Sequence, residues 1–271
     1  MNFLNNVSIK HKHFIILCFV VCGLALTAFA SVYQFERIVS LSNILLVKEK
    51  LSVDVLLLRK HEKDFLARKD TAYNEKFQKT VEHLQANIND LTESLERESL
   101  DTPQAEVLSD LVLKYNKTFQ QLVALKIEIG LDPVSGLYGS LRSAVHGIEG
   151  LAKEADEYEI LYHMLMLRRN EKDFMLRRNP KYMGKFNSNI SKFENALVAI
   201  QPEQLDQMRL GLDKYQADFK LLFDKESELG LNADLGLMKE LQVTVDETEL
   251  ALDSLSQFVS TEIEAAKING Y

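Results

Sequence analysis

From Ile44 onward the apolar residues step by four and three. Ile44, Leu51, Val55, Leu58 and Phe65 fall on one line, and Lys48 and Glu62 occupy the two remaining places on it. That spacing is the buried seam of an α-helix packed among others. Upstream, Phe14 to Ala30 carries no charge, and with Ser31 to Tyr33 it approaches the roughly 20 residues that span a bilayer as a helix. Downstream the pattern breaks at Lys69-Asp70-Thr71 and resumes over residues 72–98. It stops at Leu100-Asp101, where Thr102 is placed to cap and Pro103 to open a third helix reaching Gly130. Leu131 to Gly136 has turn chemistry. A helix of about forty residues, 137–178, is expected next, near 60 Å long at about 1.5 Å per residue. Its stripe is Leu141, Val145, Ile148 and Ala152, then Ile160, Met164, Leu167 and Phe174 on a shifted face. Further helices are expected over 181–200, 203–229 and 235–268, with Pro202 at a turn. No stretch reads as a strand. The fold class is all-α: an N-terminal transmembrane helix followed by an elongated rod of about six long helices. Seven segments give the wrong parity for two ends on one side of the rod, so one break is expected to be a kink.

The chain is also a tandem duplication, and repeats take precedence over local features. Leu58-Arg59-Lys60-His61-Glu62-Lys63-Asp64-Phe65 returns as Leu167-Arg168-Arg169-Asn170-Glu171-Lys172-Asp173-Phe174, followed in both copies by a matching Tyr73/Tyr182 and Phe77/Phe186. A second block, Gly130-Leu131, Gly136-Leu137, Leu141, Val145 and Glu149, returns one hundred residues later from Gly230 to Glu249. Between the blocks, Lys114-Tyr115 and Phe119 match Lys214-Tyr215 and Phe219. The repeats cover about 52–150 and 160–250.

Charge narrows the function. The net charge is −8, and Lys10 and Lys12 are the only charged residues before Glu36, so the remainder holds 30 basic and 40 acidic residues, or −10. Such a surface argues against nucleic acid and requires any anion to be held by a local basic pocket. Cys18 and Cys22 both lie in the apolar run, leaving no disulfide framework elsewhere. The two lysines predict a cytoplasmic N-terminus, residues 1–13, a span over 14–33 and export of 34–271. A cleaved signal peptide is the alternative, because Ala28-Phe29-Ala30 fits the small-x-small cleavage pattern.

The candidate chemistry lies on the seams. Glu62 and Glu171 are seam carboxylates, costly unless paired, with Arg59 and Arg168 three residues before them. These residues either close a structural polar network or grip a carboxylate ligand in bidentate fashion. Lys48 replaces an aliphatic residue on the first seam, as a ligand contact or as a snorkelling stem. Arg142 and His146 share a face one turn apart beside Val145, and Gln242, Asp246 and Thr248 stand at or near the matching places of the last helix. The histidines have no metal-ligand spacing, and no nucleophile elbow or phosphate loop is present. No metal, cofactor or catalysis is expected.

One spanning helix followed by an all-helical duplicated domain carrying Glu-Lys-Asp-Phe at 62–65 and 171–174 resembles the helical bimodular sensor domain of bacterial methyl-accepting chemotaxis proteins. The Gly130 to Glu149 block, with Ser143 before Ala144, carries the same resemblance. It covers Lys10 to the end. It implies a periplasmic domain of two stacked four-helix bundles that bind small carboxylates, a parallel homodimer in the inner membrane, and an output to chemotaxis signalling proteins. It also implies that Lys48 or Lys50 and Gln242 line the membrane-proximal pocket, where an arginine is usual at the last position. The chain would then be the N-terminal part of a receptor, its output a chemotaxis hairpin or a histidine kinase. The competing expectation is a ligand-free helical adaptor responding to a partner protein.

Overall fold

The computed structural model describes residues 9–100, 103–199 and 201–268. Thr102, expected as a cap, and residues 1–8 of the expected cytoplasmic N-terminus lie outside them. Among the described residues there are eight α-helices and no strand: α1 (Ile9–Arg68), α2 (Ala72–Arg97), α3 (Pro103–Ile129), α4 (Gly136–Ala155), α5 (Tyr158–Arg177), α6 (Lys181–Ala196), α7 (Pro202–Leu229) and α8 (Gly236–Ile268). A 3₁₀ turn, Leu197–Ala199, follows α6.

The first seam is buried as expected. Ile44, Leu51, Val55, Leu58, Glu62 and Phe65 are all nearly inaccessible, with Lys48 half-buried between them. The apolar stretch at the start of the same helix is exposed throughout. Its most apolar window has a mean hydropathy of 2.6 and none of it is buried, so it is long and apolar enough to cross a membrane.

The expected forty-residue helix is instead two helices. α4 closes at Asp156, which takes the left-handed conformation (φ 49°), and extended Glu157 opens α5. The acidic run explains the break. Carboxylates are unfavourable at the C-terminal end of a helix and favourable at the N-terminal end, so Glu154 and Asp156 terminate α4 while Glu157 and Glu159 open α5. Aspartate also tolerates the left-handed region better than most residues. The shift of the apolar stripe thus marks a reversal of the chain. Parity is restored by an additional break, rather than by turning one of the expected breaks into a kink.

The contacts between helices form two closed circuits. α1 packs on α2, α2 on α3, α3 on α8 and α8 on α1; α4 packs on α5, α5 on α6, α6 on α7 and α7 on α4. α3 also touches α4 and α7, and α7 touches α8. The duplication is reproduced in side-chain packing. Phe65 meets Phe119 edge-on at 5.6 Å and 84°, as Phe174 meets Phe219 at 5.7 Å and 88°. Phe77 lies 5.2 Å from Tyr115 and 4.2 Å from Phe119, and Phe186 stands at the same distances from Tyr215 and Phe219.

The turns are duplicated as well. Lys69 and Arg178 end α1 and α5 in the left-handed conformation, their amides bonded to the Phe65 and Phe174 carbonyls at 2.8 Å. Asp70 and Asn179 then accept from the Ala72 and Lys181 amides at 2.9 and 3.0 Å. Between α3 and α4, Gly136 has φ +55°, and a Cβ there would lie 2.4 Å from the Glu128 carbonyl oxygen. Only glycine closes that turn without displacing backbone.

Candidate functional site

The two seam carboxylates are buried and have partners. Tyr115 of α3 donates its hydroxyl to Glu62 Oε2 at 2.5 Å, and Arg59 Nη1 donates to the same oxygen at 2.9 Å. Lys63 Nζ lies 3.4 Å from the other oxygen. In the second circuit, Tyr215 of α7 donates to Glu171 Oε2 at 2.7 Å and Lys172 stands 2.7 Å from Oε1. Burial, followed by the adjacent Glu62 and Glu171 carboxylates, pushes both tyrosine hydroxyls far above their ordinary pKa, so they stay protonated and donate their hydrogen bonds to the carboxylates. Burial disfavours the Arg59 charge, but Glu62 and Tyr115 outweigh it and Arg59 lies above its ordinary value.

Arg59 and Arg168 are both engaged by carboxylates of the chain. Arg59 Nε sits 3.1 Å from Glu249 on α8. Arg168 turns away from Glu171 and donates to Glu149 Oε2 of α4 at 2.5 Å. Lys153 also holds Glu149, at 3.1 Å, and the Lys153 bond, joined by Arg168, keeps the Glu149 carboxyl below its usual range. Glu149 is therefore balanced by Arg168 and Lys153, and Arg142 takes no part.

The remaining candidates are not gathered into one place. The Lys48 side chain is 14% exposed; its Nζ donates to Ser260 Oγ of α8 at 3.3 Å and lies 3.3 Å from the outward Glu49. Lys50 is exposed. Arg142 and His146 are exposed, not set in an apolar face, because Leu141, Ala144, Val145 and Ile148 take the inward side of α4. Arg142 has no ion pair among the described residues, and His146 Nδ1 approaches Glu149 only to 3.9 Å. Gln242 is exposed and donates to Asp246 at 2.7 Å. Thr248 is buried, and its hydroxyl is satisfied by the Thr244 carbonyl at 2.7 Å.

Sequence reasoning missed a further constellation. Glu226 of α7 is 1% exposed, accepts from the Tyr138 hydroxyl at 2.5 Å and forms an ion pair with Arg178, which also donates to Tyr138 at 3.3 Å. Arg142 and Arg178 line a cavity of about 430 Å³ with Lys69 and Tyr138. The signal was present in the duplication: Glu226 stands where the first copy has Lys126, a charge reversal between matched positions.

A scan against models of known protein families finds no match to this chain, and a search of curated proteins finds none either. What is shown of the chain is an all-α fold with one N-terminal helix long and apolar enough to cross a membrane.

Proposed function

We propose that the chain is the ligand-sensing region of a transmembrane receptor of the chemotaxis type, binding small organic acids outside the membrane and passing a helix displacement inward. On this reading the two circuits of helices are four-helix bundles stacked end to end, the one containing α1 and α8 nearer the membrane. The observation that carries it is the course of α1. One helix runs from an exposed apolar stretch into a packed seam, and on that seam Lys48 turns a largely buried ammonium toward α8 with one neutral hydroxyl and an outward carboxylate as partners. A buried cation so poorly matched gains from an anion that binds beside it. A few kcal/mol of differential affinity between two packings is enough to signal.

A second copy of the chain fits the outer face of the same helix. Val39, Leu46 and Val53 recur every seven residues there and are all exposed, and Leu56 on α1 and Val243 and Leu250 on α8 are exposed as well. A seven-residue apolar repeat is the seam of a coiled coil, which supports a parallel homodimer joined through α1.

The competing reading is a ligand-free bundle that responds to a partner protein; it is favoured by Arg59 and Arg168 being neutralised within the chain. Thermal-shift measurements on the full chain in lipid nanodiscs, against organic acids and amino acids, separate the two. An acid at 100 times its dissociation constant should stabilise the fold by about 2.7 kcal/mol. Silence across both sets would favour the adaptor.

A further inference from the structure

The ends of α1 and α5 reach the same cavity, Lys69 closing one and Arg178 the other. These residues hold matched positions in the duplication, yet their surroundings differ. Arg178 has the buried Glu226 and the Tyr138 hydroxyl. The matched positions in the other circuit are Lys126 and Met238, so an arginine, a carboxylate and a phenol are replaced by two lysines and a thioether. Burial, with Arg178 and Lys69 close by, pushes the Lys126 ammonium down to about 8. Neither Lys69, Lys126 nor Arg142 forms an ion pair among the described residues. Lys69, Arg142, Lys172 and Arg178 line this space with Asp132 and Glu171, and Lys126 and Glu226 lie beside it near Arg178, five cations against three carboxylates in all. Asp132 is already used in its own turn, accepting from the Val134 amide at 2.8 Å. An excess of two positive charges is thus concentrated in and beside one open cavity of a protein that is acidic overall.

We propose that this cavity is a binding site for a small dicarboxylate, held by Lys69 from the first circuit of helices and by Arg142 and Arg178 from the second, with the charge of Lys126 beside it. The choice of a carboxylate rests on the reading of the chain as an organic-acid sensor; the demand for two negative charges rests on the cavity. Inorganic phosphate presents the same charge in a rounder shape and is the alternative source of it. A dianion here contacts both circuits at once, so its binding favours one relative placement of the two over others.

The test is calorimetry on the full chain in nanodiscs with succinate, acetate and inorganic phosphate as probes. The variants are Lys126→Glu, which copies the residue of the other repeat; Lys126→Met, which removes the charge alone; Arg142→Gln; and Lys117→Glu. Lys117→Glu makes the same charge change on an exposed face of α3. Succinate should bind the wild type and Lys117→Glu alike, with acetate much weaker. Binding should fall about tenfold to hundredfold in Arg142→Gln and in Lys126→Glu, and less in Lys126→Met, whose charge acts from beside the cavity. Circular dichroism and melting temperature establish that each variant is folded. Equal succinate affinity in wild type and Lys126→Glu overturns the site while leaving the sensor reading intact. Loss of succinate binding in Lys48→Met alone, or binding of acetate with no preference for succinate, does the same. Phosphate binding that depends on Lys126, with succinate inert, overturns the carboxylate assignment. No binding of any dianion by the wild type overturns the site altogether.

Discussion

Arg59 Nε of α1 lies 3.1 Å from Glu249 Oε1 of α8. The first belongs to the opening block of the first repeat and the second to the closing block of the second. The matched pair is Arg168 with Glu149, from the opening block of the second repeat and the closing block of the first. The copies therefore do not fold as two beads on a string. Each circuit of helices borrows its closing member from the other repeat, α8 in one case and α4 in the other. Neither repeat contains a complete set of partners for its own arginine.

The inward and outward contacts of Arg59 should carry unequal weight. Glu62 is 2% exposed, Glu249 49%. Arg59→Ala leaves Glu62 with Tyr115 and the exposed Lys63, and should cost about 1–3 kcal/mol. Glu249→Gln touches only a solvated pair and should stay within about 0.5 kcal/mol. Thermal unfolding of the two variants compares them, and equal losses would contradict this ordering.

Tyr115→Phe and Tyr215→Phe should differ in the same way. Both remove a hydroxyl from a buried carboxylate, at about 1–3 kcal/mol. Glu62 retains Arg59, whereas Glu171 is left with Lys172, which is 60% exposed. The loss should be greater at Tyr215, read as a lower melting temperature than that of Tyr115→Phe.

Lys126 should make the protein more stable as alkali is added. Its folded-state pKa, about 8, lies below the ordinary 10.5 because burial, Arg178 and Lys69 oppose the charge. Between those two values the unfolded chain binds more protons than the folded one, so stability rises with pH across the window. Below about 8 the penalty is fully present. Lys126→Met should flatten this part of the stability–pH profile and raise the melting temperature at pH 7, provided no dianion is bound.

The outer face of α1 should hold two copies together. Leu46 and Val53 are exposed, at 56% and 55%, so Leu46→Asp and Val53→Asp leave the interior of the chain untouched. Each should shift the detergent-solubilised protein from dimer to monomer in multi-angle light scattering. With Cys18 and Cys22 replaced by serine, Leu46→Cys should form an intermolecular disulfide under mild oxidation. An unaltered mass and no cross-link would place the dimer elsewhere.

The apolar start of α1 should remain attached. Protein carrying Phe14 to Val32 should stay in the membrane fraction after alkaline carbonate washing. Mature protein whose sequence begins at Ser31 would identify a signal peptide.

The seam of α1, the paired aromatic clusters and the two glycine turns were all legible in the residues, because each rests on spacing or on a local backbone requirement. Phe65, Phe77, Tyr115 and Phe119 could be matched to their copies before any geometry was available, and the structure places the two sets alike. The reversal at Asp156 was not legible. It contains neither glycine nor proline, and its cause, charge at opposing helix ends, resembles an ordinary solvated face. Nor could spacing say which acid each arginine would take. Arg168 passes over Glu171, one turn away on its own helix, for Glu149 on a neighbour, a choice settled by packing between helices. The basic cavity was hidden for a related reason, since Lys69, Arg142 and Arg178 come from three separate parts of the chain.

The continuity of α1 from Ile9 to Arg68 has an angular consequence. No proline or turn separates the exposed apolar stretch from Leu41, the first buried residue of the helix. The azimuth of the apolar stretch about the helix axis is therefore locked to the azimuth of the seam. Inserting one residue between Tyr33 and Leu41 would rotate one against the other by about 100° and shift them by about 1.5 Å, and four residues would nearly restore the phase. Any output carried by this helix should oscillate with insertion length at that helical period, whereas a flexible tether would lose it in a steady decline.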